Sequence, residues 1–287
     1  MNSIKKMMLS GALGCLISGM AYADGSSPQP VKPYWQDIQV VAVNKEKPRS
    51  SFMSYADRET ALTSRFEKSP YYSLLNGTWK FFFVDSYKDL PQNITDPSVN
   101  TSSWDDITVP GNWEVQGHGV AIYTNHGYEF KPRNPQPPLL PEANPVGVYR
   151  RDIEIPASWD NRDIYLHIGG AKSGLYVYLN GKEVGYSEDS KNPAEFLINK
   201  YLQPGKNVLT LKIFRWSTGS YLECQDFWRM SGIERDVFLW SQPKASIQDF
   251  RVVSTLDDTY TNGIFKLAVD LKNHTQETKN LNVGYEL

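Results

Sequence analysis

V-L-T-L-K-I-F-R-W-S-T-G-S-Y-L-E-C-Q-D-F-W-R-M-S-G-I-E-R-D-V-F-L-W, residues 208–240, decides how this chain is read. It opens with the apolar run Val208–Phe214 and closes with Val237–Trp240. Both runs have the composition of strands. The polar middle is then a loop at the rim of a sheet. Trp216, Tyr221, Phe227 and Trp228 stand in it, with Glu223, Gln225 and Asp226 among them. Carboxylates and amides beside flat aromatic faces suit a sugar. Sugar hydroxyls need polar partners, and the C–H faces of the ring need an apolar plate. The plainer reading is a folded corner with solvated charges, and the residues alone leave both open.

The same logic extends along the chain. Leu74–Val84 reads as a turn at Asn76-Gly77 followed by a strand. Val148–Ile155, Asp163–Ile168, Leu175–Leu179 and Asn207–Phe214 read as strands, and Asn180-Gly181 as a hairpin turn into Lys182–Tyr186. Asp189–Phe196 reads as a loop. Val109–Tyr123 is punctuated by Gly and Pro and reads mostly as loop, with Trp113 and His118 placed to face a ligand or to pack. His126–Pro145 is too proline-dense for regular structure. No long segment carries a helical apolar period. Short strands with turns roughly every ten residues predict an all-β chain built as a β-sandwich.

Pro48 bars a helix through Asn44–Thr63, which reads as an extended arm, and Asp24–Gln36 reads as a linker. Beyond Lys244, three strands are expected at Ile247–Val253, Ile264–Leu271 and Leu281–Leu287. Lys5 and Lys6, the apolar Met7–Met20 and the site Ala21-Tyr22-Ala23 have the pattern of an export signal cleaved after Ala23. That apolar run is too short for a membrane span, so no transmembrane segment is expected after cleavage. The chain is expected to be periplasmic, cell-surface or secreted, with lipidation at Cys15 as the alternative anchor.

Hydrophobic residues at 40% and aromatics at 13% exclude a disordered chain, and a formal charge of -2 gives no footprint for nucleic acid. Loss of Cys15 with the signal leaves Cys224 as the single cysteine, so no intrachain disulfide is expected. The four histidines show no close zinc-ligand spacing.

The segment S-Y-L-E-x-Q-D-F-W-R-M-S-G-I resembles the signature of the N-terminal sugar-binding domain of family 2 glycoside hydrolases, the β-galactosidases in particular. Similar words recur in the same order: N-x-E-x-P-R-x-x-F-x-x-Y from Asn44, V-P-x-N-W-E-x-Q-G from Val109 and N-P-x-G-x-Y from Asn144. The resemblance implies a jelly-roll β-sandwich followed by an immunoglobulin-like sandwich. The division would be a signal at 1–23, a linker and leader arm at 24–73, the sugar-binding domain at 74–242 and a truncated second sandwich at 243–287. Only 287 − 243 = 44 residues follow Pro243, against the ~100 such a sandwich needs, so this tail is expected to be poorly ordered alone.

For function, the resemblance implies that Asn144 and Asp226 contact a galactosyl unit. Glu223, Trp113 and Trp228 would support them. Asp226 would also ligate a monovalent or divalent cation in a complete enzyme, and the chain alone has no cofactor. Retaining hydrolysis needs two carboxyl groups about 5–5.5 Å apart. In the family these are glutamates on a (β/α)8 barrel, which this chain lacks, so no catalytic residue is assigned. Two positions depart from the pattern: Cys224 replaces the first Asp of L-E-D-Q-D, and Thr218 the Asp of W-S-D-G-S. The expected function is the sugar-binding part of an exported β-galactosidase-like hydrolase, inactive alone. The rivals are a stand-alone exported carbohydrate-binding module, and a chain that completes its site with a barrel-bearing partner.

Overall fold

Side chains alternate between the two faces of a strand, and this chain buries both faces of its main sheet. The computed structural model describes residues 32–130 and 134–286. In the strand Gly174–Leu179, Leu175, Val177 and Leu179 enter one apolar core, while Tyr176 and Tyr178 belong to another on the opposite face. A strand covered on both faces reads as a nearly continuous apolar run.

The main sheet has seven strands in the order Ala42–Val43, Lys182–Ser187, Gly174–Leu179, Lys206–Phe214, Val146–Glu154, Gly77–Val84 and Asp105–Val109. Every neighbouring pair is antiparallel. A second, four-stranded sheet runs Ala194–Leu197, Arg162–Ile168, Val237–Pro243 and Tyr72–Leu74, again antiparallel. Between the two sheets, Phe81, Tyr149, Val177 and Leu211 meet Leu166, Phe196, Val237 and Leu239, each at most 1% exposed. The chain is an all-β sandwich. Asn180 and Gly181 both hold positive φ, 53° and 76°, as the tight hairpin between two right-twisted strands requires.

Both outer faces carry large aromatics, and the leader covers them. On the seven-stranded sheet, Trp35 is 2% exposed and stacks on Phe214 at 5.0 Å. On the four-stranded sheet, Met53 packs with Tyr165, Phe238 and Trp240. Arg49 lies 4.3 Å over the Trp240 ring and forks onto Glu195 through two 2.9 Å bonds. The expectation of a linker through Gln36 is therefore corrected at its end, because Tyr34–Gln36 forms a packed turn. The arm is extended apart from the short helix Arg58–Leu62, which Asp57 caps by accepting from the Thr60 N–H.

Two further expectations are corrected. Ala194–Leu197 is a strand rather than loop; it starts immediately after Pro193, whose ring cannot donate to a ladder. Residues 281–286 form no strand, and Leu287 lies outside the described residues. The strands Ala245–Leu256 and Gly263–Asn273 pair only with each other, so their hairpin offers no third partner in register. An isolated two-stranded hairpin is marginal. This one is tied to the body: Asp249 accepts from the Ser50 N–H at 2.8 Å, and His274 meets Asp163 at 2.8 Å. The expected signal, Cys15 and the linker up to residue 31 lie outside the described residues.

Candidate functional site

The chain leaves the main sheet at Phe214 and rejoins the second sheet at Val237, and the loop between is anchored by buried polar groups. Arg215, 3% exposed, donates to the Val120 carbonyl at 2.9 Å and the Arg229 carbonyl at 3.3 Å. Glu114 lies 3.7 Å from that guanidinium and accepts from the Ser231 N–H at 2.8 Å. Thr218–Tyr221 makes a short 3-10 turn capped by Ser217 and Ser220.

Glu188 ends the run through Lys182–Ser187 and is buried. It accepts at 2.7 Å from each of the Tyr186 hydroxyl, the Thr218 hydroxyl and the Gly219 N–H. Thr218, where the family pattern has Asp, thus donates to a carboxylate supplied from outside the loop. Glu223 accepts from the Ser190 N–H at 2.9 Å and its hydroxyl at 2.6 Å. Cys224, the second departure, directs its thiol to the Ser220 carbonyl at 3.4 Å, and burial raises its pKa. A thiol held protonated in this way is a packing group rather than a nucleophile.

Beneath the loop lies a set of buried charges. Lys172 meets Glu129 at 2.8 Å with both side chains at most 5% exposed, and Arg215 lies 3.8 Å from the same carboxylate. Arg229 donates to the Glu223 carbonyl at 3.0 Å and sits 4.9 Å from the Phe227 ring centre. Charges this deep are costly unless paired or hydrogen-bonded. Lys172 and Arg215 share Glu129, whereas Arg229 keeps its Nε and Nη2 without a partner among the described residues. Burial, partly offset by hydrogen bonds, raises the pKa of Glu114, Glu188 and Glu223.

The outer side of the loop is open. Asp226 is exposed, Leu222 is exposed, and Trp228 is 53% exposed with its ring 5.2 Å from Tyr123. The strand Phe227–Arg229 holds this edge by pairing with Ile122–Thr124. Asn144 is fully buried at the root of the loop: its Nδ2 donates to the Trp216 carbonyl at 2.8 Å, and its Oδ1 accepts from the Trp216 N–H at 3.0 Å. In this chain it clamps the backbone that leads to Asp226 and does not reach the open rim. Glu223 is half-buried behind the loop.

Trp113 is corrected outright as a ligand-facing residue. It is 0% exposed and packs in the core against Phe81 and Phe83. Gly147 makes that fit possible, since a Cβ there would come within 2.6 Å of the Trp113 ring. His118 packs edge-on to Phe81 at 4.8 Å. Among the described residues no three His, Cys, Asp or Glu side chains group as a metal site. Sequence reasoning missed Glu188, Lys172, Glu129 and Arg229. The signal available was the charge itself: Glu188 follows the strand Lys182–Ser187 directly, and Lys172 sits in the small-residue run G-G-A-K-S-G.

Residues 72–243 match the family model described as "Glycosyl hydrolases family 2, sugar binding domain". A β-galactosidase of Priestia megaterium is 40% identical over 245 residues, covering 84% of this chain and 24% of that protein. A β-galactosidase of Psychromonas ingrahamii is 37% identical over 243 residues, covering 85% of this chain and 23% of that protein. The chain thus spans about a quarter of the length of these relatives. Among solved structures, a β-glucuronidase of Bacteroides uniformis superposes with a TM-score of 0.55 at 20% identity, over 72% of this chain and 22% of its own. A β-glycosidase of Bacteroides vulgatus does so at 0.53 and 22%, over 72% of this chain and 25% of its own. These likenesses carry the fold. With the family model spanning more than half its length, the chain belongs to glycoside hydrolase family 2 through that family's sugar-binding domain.

Proposed function

We propose that this chain is the N-terminal, sugar-contacting part of an exported β-galactosidase-like hydrolase. It grips the terminal galactosyl unit of a β-galactoside at the rim of the Arg215–Val237 loop and does not break the glycosidic bond by itself. The observation that carries this reading is an exposed Asp226 two positions before Trp228, whose ring lies 5.2 Å from Tyr123, on a loop held by Glu188, Glu223 and Arg229. A carboxylate accepts from sugar hydroxyls, and a half-exposed indole offers a plate for the ring. Fixing the loop in advance lowers the entropy lost on binding.

Asn144 acts in this reading by holding Trp216, and so the start of the loop, in place. The acid and the nucleophile of retaining hydrolysis come from a barrel-bearing segment or partner chain, which also supplies the remaining ligands of any cation at Asp226. Export by a cleaved signal at 1–23 places the assembly outside the cytoplasm.

Titration of the chain with methyl β-galactoside, in the presence of a family 2 barrel segment, tests this. Asp226→Ala is expected to weaken binding at least tenfold, about 1.4 kcal/mol. Equal affinity in both proteins would remove Asp226 from the site. Binding of full strength that persists without any barrel would instead favour a stand-alone carbohydrate-binding module.

A further inference from the structure

The arm segment 45–53 roofs a cavity of about 370 Å³ over Phe238, His167 and Glu195, and Asp226 is not among its walls. That volume lies within the usual range for small-ligand pockets. The floor is rigid because its groups occupy one another. Arg49 forks onto Glu195 at 2.9 Å, His167 Nδ1 lies 2.8 Å from the same carboxylate, and the His167 ring stacks on Phe238 at 4.2 Å.

The lip is different. Lys47, Ser51, Asp189 and Asn192 line it and are exposed. Asn192 Nδ2 donates to both Asp189 oxygens at 3.1 Å, which leaves the Asn192 carbonyl, further lone pairs of the carboxylate, and the Lys47 and Ser51 side chains to meet a ligand. Phe52 and Phe66 are half-buried in its wall. The charges lining the cavity cancel: Lys45, Lys47 and Arg49 face Glu46, Asp189 and Glu195. A site lined by equal numbers of opposite charges has no overall bias toward a cation or an anion. Donors and acceptors around an apolar plate, with no excess charge, match an uncharged ligand rich in hydroxyls.

We propose that this cavity is a second carbohydrate site, for a neutral mono- or disaccharide, formed by the leader arm against the four-stranded sheet. Phe66 and Phe52 provide the plate. Lys47, Asp189 and Asn192 take the hydroxyls. The site stands apart from the Asp226 rim and does not depend on the reading given for it.

Lactose titrated into the full chain carrying Asp226→Ala tests the proposal, because the rim then contributes least. Saturable binding in the millimolar range is expected. Adding Ser51→Trp, which blocks the lip without removing a buried bond, is expected to weaken it at least tenfold with the melting temperature unchanged. Adding Lys47→Ala and Asn192→Ala instead, both at exposed positions, is expected to weaken it several-fold and serves if the tryptophan variant misfolds. Absence of saturable binding in the Asp226→Ala chain, or binding indifferent to the lip variants, overturns the proposal. Neither result bears on the rim, which is read from the difference between wild type and Asp226→Ala.

Discussion

Asn144 and the backbone of Trp216 close a two-bond ring, Nδ2 to carbonyl at 2.8 Å and N–H to Oδ1 at 3.0 Å, with no solvent access to the asparagine. A buried amide that satisfies both backbone groups of one residue acts as a rivet. Asn144→Ala strands a donor and an acceptor, each costing roughly 1–3 kcal/mol. Denaturant unfolding should show a loss of about 3 kcal/mol. A variant as stable as wild type would mean that Trp216 finds other partners and that the loop is not held here.

The Lys172–Glu129 pair is nearly sealed from water. Breaking one side of such a pair costs about 3–5 kcal/mol, whereas replacing both by uncharged groups is often close to neutral. Lys172→Met is therefore expected to lose about 3 kcal/mol, with Arg215 at 3.8 Å softening the effect. Lys172→Met combined with Glu129→Gln should recover most of that loss in the same unfolding experiment. Additive losses in the double variant would show that the two side chains do not act as a pair.

Much of this was legible beforehand and some was not, for identifiable reasons. Asn180-Gly181 announced its hairpin because the turn's backbone geometry is a local demand. Asp226 and Trp228 stood out because charge beside an aromatic is visible in one short word of sequence. Trp113 misled because its burial depends on Gly147, thirty-four positions away (147 − 113 = 34), and no local signal links the two. Asn144 was singled out for a sugar contact, yet its observed partner is Trp216 across the fold. Glu188 escaped notice because a carboxylate at a strand end usually faces water, and only the folded loop brings Thr218 and Gly219 to it.

Glu223 gives the loop a pH signature. Burial lifts its carboxyl above the ordinary value of 4.5, outweighing the bonds from Ser190. A carboxyl with a higher pKa folded than unfolded holds its proton more tightly in the folded chain. Its contribution favours folding below 4.5 and is lost as pH rises through the folded value. Glu223→Gln removes that titration. Melting temperatures from pH 4.5 to neutrality should therefore fall more steeply for wild type than for Glu223→Gln. Parallel curves would mean that Glu223 ionises as it does in water.

The hairpin Ala245–Leu256 with Gly263–Asn273 has Val252, Val253 and Leu256 more than 40% exposed and few ties to the body. Local opening free energy tracks buried apolar contact. Hydrogen exchange of its amides should be at least a hundredfold faster than in Val146–Glu154, about 2.7 kcal/mol less protected. Equal protection would show that the hairpin folds as one unit with the sandwich.

The central claim is that this polypeptide holds a galactoside but leaves its cleavage to residues supplied elsewhere. The most direct measurement is the release of nitrophenol from nitrophenyl β-galactoside by the purified chain, alone and after addition of a family 2 barrel segment. The account predicts no turnover alone, turnover on addition of the barrel, and a drop of at least tenfold with Asp226→Ala. Sustained turnover by the chain alone would contradict it.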